Sequence, residues 1–376
     1  MTVETFTVPL NADEAAWVRE RVAAYRFFEE PANAGWNHGA NRNYMERLRR
    51  YWLEDYDWPA AVAALNRHKH IRVEVEPGYQ LHALHRRSSR ADARPLLIAH
   101  GWPGSILEFD AVVERLAEPE SGDLPAFHVV APSLPGYAWS DRPAEMWGPR
   151  RISGLYDALM PMLGYDRYLY QGGDWGCVIG GWLGIDSTRL DGLHLSGFGL
   201  RPVNMSPETP EDVKWLQKAS AVRERETGYM QLQGTKPQSL GFAMMDSPMG
   251  VAAWFCEKFV GWSDTDGKAT DPPYPMDWLL TNIMIYLTTR SFATATWIYR
   301  GMFIEGGFAI PEGKRVDVPT GVAAFPHDLL AFPARAIVER GYNVVHWTDM
   351  PRGGHFASLE EPELFLADVR AFAAGL

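Results

Sequence analysis

One hexapeptide, QGGDWG at residues 171–176, has the glycine spacing of a sharp turn that raises a nucleophile above a sheet. Asp174 stands where the familiar G-x-S-x-G pattern has serine, and the chain contains no match to the serine form. A carboxylate is ionised near neutral pH and can attack an alkyl carbon without a base to activate it. The alternative is a glycine-rich turn in which Asp174 caps the next helix.

His355 is the second candidate, because it follows two glycines in the segment RGGHF at residues 352–356. A histidine on such a loop is suited to take a proton from water. The chain has 11 histidines, and we expect most of them to be surface or structural residues. The chain order of nucleophile, acid and histidine, known from hydrolases with this kind of turn, favours His355 as general base.

A general base of this kind needs an acid that orients its ring, and Asp328 is the best candidate. It follows the strand predicted at 315–318, at the expected end of the penultimate strand. Asp349 is a rival that lies closer in sequence to His355, and Asp141 is a third alternative.

A tight turn with the sequence His-Gly-Trp-Pro at residues 100–103 follows an apolar run. The backbone N–H of Trp102 could point at an oxyanion there, together with the N–H of Trp175, the residue after the nucleophile. Without the turn at 171–176, the same segment would be an ordinary apolar turn after a strand.

These residues lie at the ends of strands in a chain that alternates strand and helix. A continuous apolar run at 95–99 predicts a strand covered on both faces of a sheet. Further strands are predicted at 127–131, 168–171, 190–196, 315–318 and 342–347. A loop beginning at Pro319 follows the fifth strand, and helices are predicted at 151–163 and 358–372. About 120 residues separate the fourth and fifth strands, far more than a parallel crossover needs. We therefore expect an inserted helical, aromatic domain between them.

The first 90 residues form a lead-in to this alternating region. Asn11 and Glu14 predict a capping box that opens a first helix, and further helical segments follow at 44–56 and from Trp58. Alternating residues at 71–76 and 79–85 flank a Pro-Gly turn and predict a hairpin.

Composition limits the classes of partner. The net charge of −11 argues against nucleic acid or an anionic membrane surface as the main partner. The only two cysteines, Cys177 and Cys256, are far apart in apolar stretches, which favours a reducing compartment. The N-terminal residues lack a signal-peptide pattern, and no apolar run approaches the roughly 18 residues of a membrane span. We expect a cytoplasmic protein without a membrane anchor.

The ordered set of motifs resembles the epoxide hydrolases of the α/β-hydrolase superfamily, in the branch related to microsomal epoxide hydrolase and its soluble bacterial relatives. The resemblance covers nearly the whole chain and is carried by RPLLIAHGWPGS at 94–105, QGGDWG at 171–176, PTG at 319–321 and RGGHFA at 352–357. It implies an α/β-hydrolase fold, with a mostly parallel central sheet and helices on both faces. The implied division is an N-terminal extension at 1–90, a core at 91–200 and 309–376, and a helical lid at 201–308.

The resemblance also implies the reaction. An apolar epoxide would become a vicinal diol through an alkyl ester on Asp174, and His355 with Asp328 would activate the water that hydrolyses the ester. The sequence departs from the animal microsomal members in two respects: they carry Glu where this chain has Asp328, and their membrane anchor has no counterpart here.

Two tyrosines of the lid would hold the epoxide oxygen, and the resemblance places them at Tyr229 and Tyr299. In each case the alternative is simple packing in an aromatic lid, since the chain has 15 tyrosines. Both tyrosines, with Trp102 and Trp175, would also contact the substrate.

The implied partners are a small-molecule epoxide and water, with no metal or organic cofactor. An aromatic and methionine-rich lid predicts a bulky apolar substrate and an adaptable pocket; its methionines include Met230, Met244, Met245 and Met249. The sequence leaves the oligomeric state open, with a homodimer as one option.

Three competing functions share part of this pattern. A haloalkane dehalogenase would use the same aspartate nucleophile, with the indole N–H of Trp102 available to a halide. A serine esterase is disfavoured, because the turn has no serine. A binding protein without catalysis is disfavoured by the intact set of Asp174, His355 and Asp328.

Overall fold

The computed structural model describes residues 3–265 and 271–376, which include nine strands in one mixed sheet. The strands are β1 (Val3–Phe6), β2 (His70–Glu76), β3 (Tyr79–Arg86), β4 (Arg94–Ala99), β5 (Phe127–Pro132), β6 (Tyr168–Gly172), β7 (Leu190–Leu195), β8 (Val316–Ala324) and β9 (Tyr342–Asp349). Their order across the sheet is β1-β2-β3-β5-β4-β6-β7-β8-β9. The first three strands and the β3–β5 pair are antiparallel, whereas β5, β4 and β6 to β9 form a continuous parallel sheet. The predicted hairpin and mostly parallel sheet are confirmed.

Helices cover both faces of the parallel strands, which explains why the central strands β4 and β6 are largely buried. The helices of the core are α4 (Val113–Ala117), α5 (Pro149–Met162), α6 (Trp175–Asp186), α14 (Arg335–Glu339), α15 (Ala357–Glu360) and α16 (Pro362–Ala374). In β4, for example, the four residues 96–99 are all buried. Because β4, β6 and β8 run parallel, their carboxyl ends lie at the same edge of the sheet, and the candidate site lies at this edge.

Between β7 and β8, the described residues (196–265 and 271–315) form seven helices. They are α7 (Pro210–Glu226), α8 (Gly228–Thr235), α9 (Pro237–Met244), α10 (Pro248–Gly261), α11 (Met276–Thr288), α12 (Phe292–Ala295) and α13 (Trp297–Ile304). In the part of the chain that the structure describes, no helix combines the length and apolar character needed to cross a membrane.

The N-terminal region packs on these inserted helices. Its helices are α1 (Ala12–Ala24), α2 (Arg42–Glu54) and α3 (Trp58–Leu65). The Tyr51 hydroxyl donates to a carboxylate oxygen of Asp277 over 2.9 Å, and the hydroxyls of Tyr56 and Thr281 are 3.1 Å apart. Both contacts join the extension to α11.

The capping box predicted at the start of α1 is wrong. Asn11 is the N-cap residue, but it has a positive φ of 47° and its side chain makes no capping hydrogen bond. Its amide instead donates to the carbonyl of Thr288 over 3.0 Å. A contact with a distant part of the chain has therefore replaced the local one.

The loop predicted at Pro319 is also wrong, because β8 continues to Ala324. Proline cannot donate a hydrogen bond to a neighbouring strand, and such residues are tolerated where the pairing is irregular. The register between β8 and β9 shifts between Val316 and Pro319, and again between Thr320 and Gly321. These irregularities let the strand run past the proline.

The single terminal helix predicted at 358–372 is two helices, α15 and α16, separated at Glu361. Pro362 occupies the first turn of α16, a position that suits proline because its missing N–H has no partner to lose there.

Candidate active site

The turn between β6 and α6 holds Asp174 in a strained backbone conformation. Its φ is 46° and its ψ is −121°, a region that few residues other than glycine adopt. The turn packs tightly against β4, since a side chain at Gly176 would overlap the carbonyl oxygen of Ala99. The strain and the close packing direct the Asp174 side chain above the sheet edge.

The turn after β4 contacts that carboxylate directly. The backbone N–H of Trp102 donates to Oδ1 of Asp174 over 2.8 Å. The ring of His100 is buried beneath the turn, and burial lowers its pKa to about 4, so the ring is neutral. Its Nδ1 lies 2.9 Å from the carbonyl oxygen of Gly101, and its Nε2 accepts the N–H of Leu134 over 3.3 Å. A neutral imidazole thus fixes the turn that presents the N–H of Trp102.

His355 bridges two carboxylates. Its Nε2 lies 3.2 Å from Oδ2 of Asp174, and its Nδ1 lies 2.6 Å from Oδ1 of Asp328. Burial lowers the pKa of His355, but the charges and hydrogen bonds of Asp328 and Asp174 raise it by more, and it lies well above the ordinary value. The imidazole ring therefore lies between two carboxyl groups that favour its protonated form.

The loop that carries His355 is fixed by a carboxylate beneath it. The backbone N–H groups of Gly354 and Phe356 donate to the two oxygens of Glu360 over 3.0 and 2.8 Å. The N–H of His355 itself donates to the carbonyl of Trp262 over 2.9 Å. The glycines of this segment allow its backbone to fold around Glu360, a residue to which the sequence alone assigned no role.

The two rival acids lie elsewhere. Asp349 ends β9 and accepts a hydrogen bond from the Trp347 indole over 2.9 Å. Asp141 accepts the backbone N–H of Gln80 over 2.8 Å, and its other oxygen is paired with Arg72. Of the three candidates, the structure brings only Asp328 to His355.

The two tyrosines come from α8 and α13 and meet above the carboxylate. The rings of Tyr229 and Tyr299 are edge-to-face with centroids 5.8 Å apart, and the Tyr299 ring is 4.7 Å from that of Trp175. Burial raises the pKa of both phenols well above the ordinary value, and the charge of Asp174 raises each further. Both hydroxyls therefore stay protonated and can donate a hydrogen bond at physiological pH.

One crevice brings these groups together. Asp174, Tyr229, Tyr299, Asp328 and His355 all line it. Its remaining wall is largely apolar and includes Trp175, Val178, Phe198, Met230, Phe308, Leu329 and Leu330. Of the four methionines named from the sequence, only Met230 is in this lining, and Met249 lines a different cavity beside the N-terminal extension. Within the crevice, the prediction of an adaptable pocket therefore has Met230 as its support.

Two ionisable residues near the site were not identified from the sequence. Glu108 follows the Trp102 turn and, with His355, lines a small cavity of about 20 Å³ that also contacts Gln171 and Ser196. Burial raises the pKa of Glu108 to about 8. Arg201 lies in the loop after β7 and lines the crevice of Asp174. Neither residue belongs to a glycine motif, so no local sequence pattern indicated that they lie near the site.

The fold and the site define an α/β-hydrolase with an aspartate where the nucleophile stands, and comparison with known proteins narrows this class. Residues 3–109 match the family described as the epoxide hydrolase N terminus, and residues 94–244 match the alpha/beta hydrolase fold. Epoxide hydrolase 1 of Sus scrofa is 31% identical over 402 residues, an alignment that covers 99% of this chain and 88% of that protein.

Solved structures agree with the sequence relatives. Aspergillus niger epoxide hydrolase superposes with a TM-score of 0.88 at 27% identity, covering 100% of this chain and 97% of that one. Juvenile hormone epoxide hydrolase from Bombyx mori gives the same TM-score and identity, with 100% and 94% covered. The chain belongs to the epoxide hydrolases, which are hydrolases that act on ether bonds.

Proposed function

We propose that this epoxide hydrolase works by covalent catalysis on Asp174, with residues 201–308 as a lid over the reacting groups. The observation that carries the proposal is the position of the Asp174 carboxylate, held between the N–H of Trp102 and the ring of His355. Oδ1 accepts the backbone N–H of Trp102, and Oδ2, which faces the ring of His355, is the oxygen that attacks an epoxide carbon from behind.

In the first step a bond forms between Oδ2 and the carbon while the carbon–oxygen bond of the epoxide breaks. Tyr229 and Tyr299 donate to the departing oxygen, and one of them gives it a proton. General acid catalysis of this kind contributes about 10²- to 10⁴-fold. The product is an alkyl ester on Asp174.

Ester formation changes the charge around His355. Asp174 becomes neutral, so one of the two carboxylates that raise the pKa of His355 is lost. The pKa of the imidazole falls, and the proton that it releases can restore the phenol. His355 is then the base that the second step requires, with Asp328 still orienting its ring.

In the second step His355 takes a proton from water, and the hydroxide attacks the carbonyl carbon of the ester. The N–H of Trp102 already binds the oxygen that becomes the oxyanion, and the N–H of Trp175 is the second donor. Removing one such donor costs about 2.7–4 kcal/mol in comparable sites. The tetrahedral intermediate then collapses, and the bond between the carbonyl carbon and the substrate-bound oxygen of Asp174 breaks. This oxygen takes the proton of the newly formed carboxyl group, and the diol leaves with an oxygen that came from Asp174, while His355 keeps the proton from water.

The substrate is a small-molecule epoxide with an apolar body, because the crevice wall is largely aromatic and aliphatic. Every proton transfer and nucleophilic step above is assigned to a side chain or to water, so the proposal involves no cofactor. We also propose a cytoplasmic location, which the buried, unpaired Cys177 and Cys256 favour.

The test is a single turnover of styrene oxide in water enriched in heavy oxygen, with enzyme in excess. We expect an unlabelled diol from the first turnover and label in the Asp174 carboxylate. Label in the diol after one turnover would rule out the ester on Asp174. A matching chloroalkane tests the dehalogenase alternative, and we expect no halide release.

A further inference from the structure

Arg201 is a charged residue of the crevice to which the proposed reaction gives no task. Its position is fixed by the backbone: its N–H donates to the carbonyl of Phe308 over 2.8 Å, and its carbonyl accepts the N–H of Ile310 over 2.9 Å. These bonds tie the loop after β7 to the segment before β8. The side chain therefore starts from a rigid point at the rim of the site.

Two aromatic rings lie between this guanidinium and the nucleophile. The Arg201 side chain lies over the ring of Phe308 at 5.4 Å from its centroid. The Phe308 ring in turn stacks on that of Trp175, the neighbour of Asp174, at 5.8 Å and 16°. Arg201 thus lies at the far end of an aromatic wall that begins at the reacting carboxylate.

The guanidinium has no anionic partner within residues 3–265 and 271–376. No carboxylate there forms an ion pair with it, and its Nε is buried without a hydrogen-bond partner. Other arginines of the chain do have partners, as the pairs Arg115–Glu363, Arg150–Asp186 and Arg352–Glu361 illustrate. Burial lowers the pKa of Arg201, and the nearby charge of Arg223 lowers it further.

A half-buried guanidinium with unused donors, next to a second cation, is unfavourable unless something anionic binds to it. The planar fork of arginine matches a carboxylate, which it can bind through two parallel hydrogen bonds. The wall between Arg201 and Asp174 is apolar, and it suits a hydrocarbon or aryl spacer. The crevice thus has an epoxide-opening end and an acid-binding end.

We propose that Arg201 binds the carboxylate of an acidic epoxide, so that the preferred substrates carry an epoxide at one end and a carboxylate at the other. This inference rests on the proposed function of Asp174 at the opposite end of the same crevice. A single guanidinium with Arg223 nearby suits one monovalent acid group, and a methyl ester of the same acid has no charge for it to recognise.

The test compares straight-chain acids bearing a terminal epoxide, with spacers of different length, and their methyl esters. For the best-fitting spacer we expect wild-type kcat/KM to favour the acid by about 10- to 100-fold, the range of a charged hydrogen-bonded contact. Arg201→Gln should remove that preference through KM, because kcat/KM should fall much more for the acid than for the ester. Arg201→Lys should retain part of it.

Arg150→Gln is the matched control, since Arg150 also lies over an aromatic ring, Trp182 at 4.6 Å, but outside the crevice. It should leave both substrates unchanged. Equal kcat/KM of wild type for acid and ester at every spacer length would overturn the role of Arg201. An equal loss of kcat/KM for both substrates in a folded Arg201→Gln variant would also overturn it. Hydrolysis of the ester by wild type reports on Asp174 chemistry separately from acid recognition.

If Arg201→Gln does not fold, inhibition of wild-type ester hydrolysis decides the matter. A straight-chain carboxylic acid should compete about 10-fold or more better than its amide. Equal inhibition by the acid and the amide would reject the acid-binding site.

Discussion

Trp102 stacks face to face on Tyr229, with ring centroids 5.1 Å apart and planes inclined by only 8°. Trp102 belongs to the core and its N–H contacts Asp174, whereas Tyr229 opens the lid helix α8. One residue therefore sets both the position of the nucleophile and the position of a proposed epoxide-oxygen donor. The two halves of the site are aligned by direct contact between them.

Replacing Tyr229 and Tyr299 together by Phe should slow ester formation by about 10²- to 10⁴-fold, because the leaving oxygen loses both donors. Each single change should cost less. Rapid mixing of excess enzyme with styrene oxide measures this step. Tyr56→Phe is the control, since it removes a hydroxyl bonded to Thr281 away from the crevice. An unchanged rate in the double variant would refute the role of the tyrosines.

Replacing His355 by Gln should stop the second step and leave the first, so that the ester on Asp174 accumulates. Intact-mass measurement should then show the enzyme heavier by one substrate molecule. Asp328→Asn should also slow ester hydrolysis, because it removes the group that orients the imidazole. Asp349→Asn, which alters the exposed rival acid, should behave as wild type; a loss of hydrolysis in this variant alone would transfer the role to Asp349.

Stability should report the raised pKa of His355. Since folding raises that pKa, the charged histidine contributes stability fully below the unfolded value of about 6.5, and the contribution is lost as pH rises through the higher folded value. The difference in unfolding free energy between wild type and His355→Gln should therefore shrink at alkaline pH. Urea unfolding measures this difference in free energy. Both proteins carry Glu108→Gln, so that the titration of Glu108 does not contribute. A difference that grows with pH would contradict the ion-pair arrangement.

Glu108 should give a pH dependence of its own. Burial raises its pKa from 4.5 to about 8, so the folded chain holds a proton that the unfolded chain loses. Raising the pH between these two values should destabilise wild type relative to Glu108→Gln, and the difference should level off above the upper value. Unfolding of both proteins across this range tests it. A difference that stays constant with pH would mean that Glu108 is ionised in the folded state.

The sequence predicted those site residues that belong to a recognisable local motif. The turn at Asp174, the glycines before His355 and the turn at Trp102 each follow an apolar strand, and the parallel sheet brings the ends of such strands to one edge. Asp328 was predicted from chain order, although the strand before it was cut short at Pro319. The register shifts that carry β8 past this proline depend on its pairing with β9, and no feature of the segment itself indicates them.

Other residues acquire their environment only from the tertiary fold. The amide of Asn11 bonds to Thr288, a partner 277 positions away, and so the local capping pattern was misleading. Arg201 and Glu108 look like ordinary charged residues in the sequence. Their burial beside the reacting groups comes from the way the inserted helices and the Trp102 turn close over the sheet.

Helix α11 ties the N-terminal extension to the turn that carries Trp102, and none of its residues lines the crevice of Asp174. On one side α11 is joined to the extension through Tyr51 and Tyr56, and on the other the amide of Asn282 donates to the carbonyl of Pro103 over 2.8 Å. Substitutions there should affect stability before selectivity. Substrates of different width meet the residues of the crevice itself, such as Met230 and Leu330, and selection for altered specificity should act mainly there.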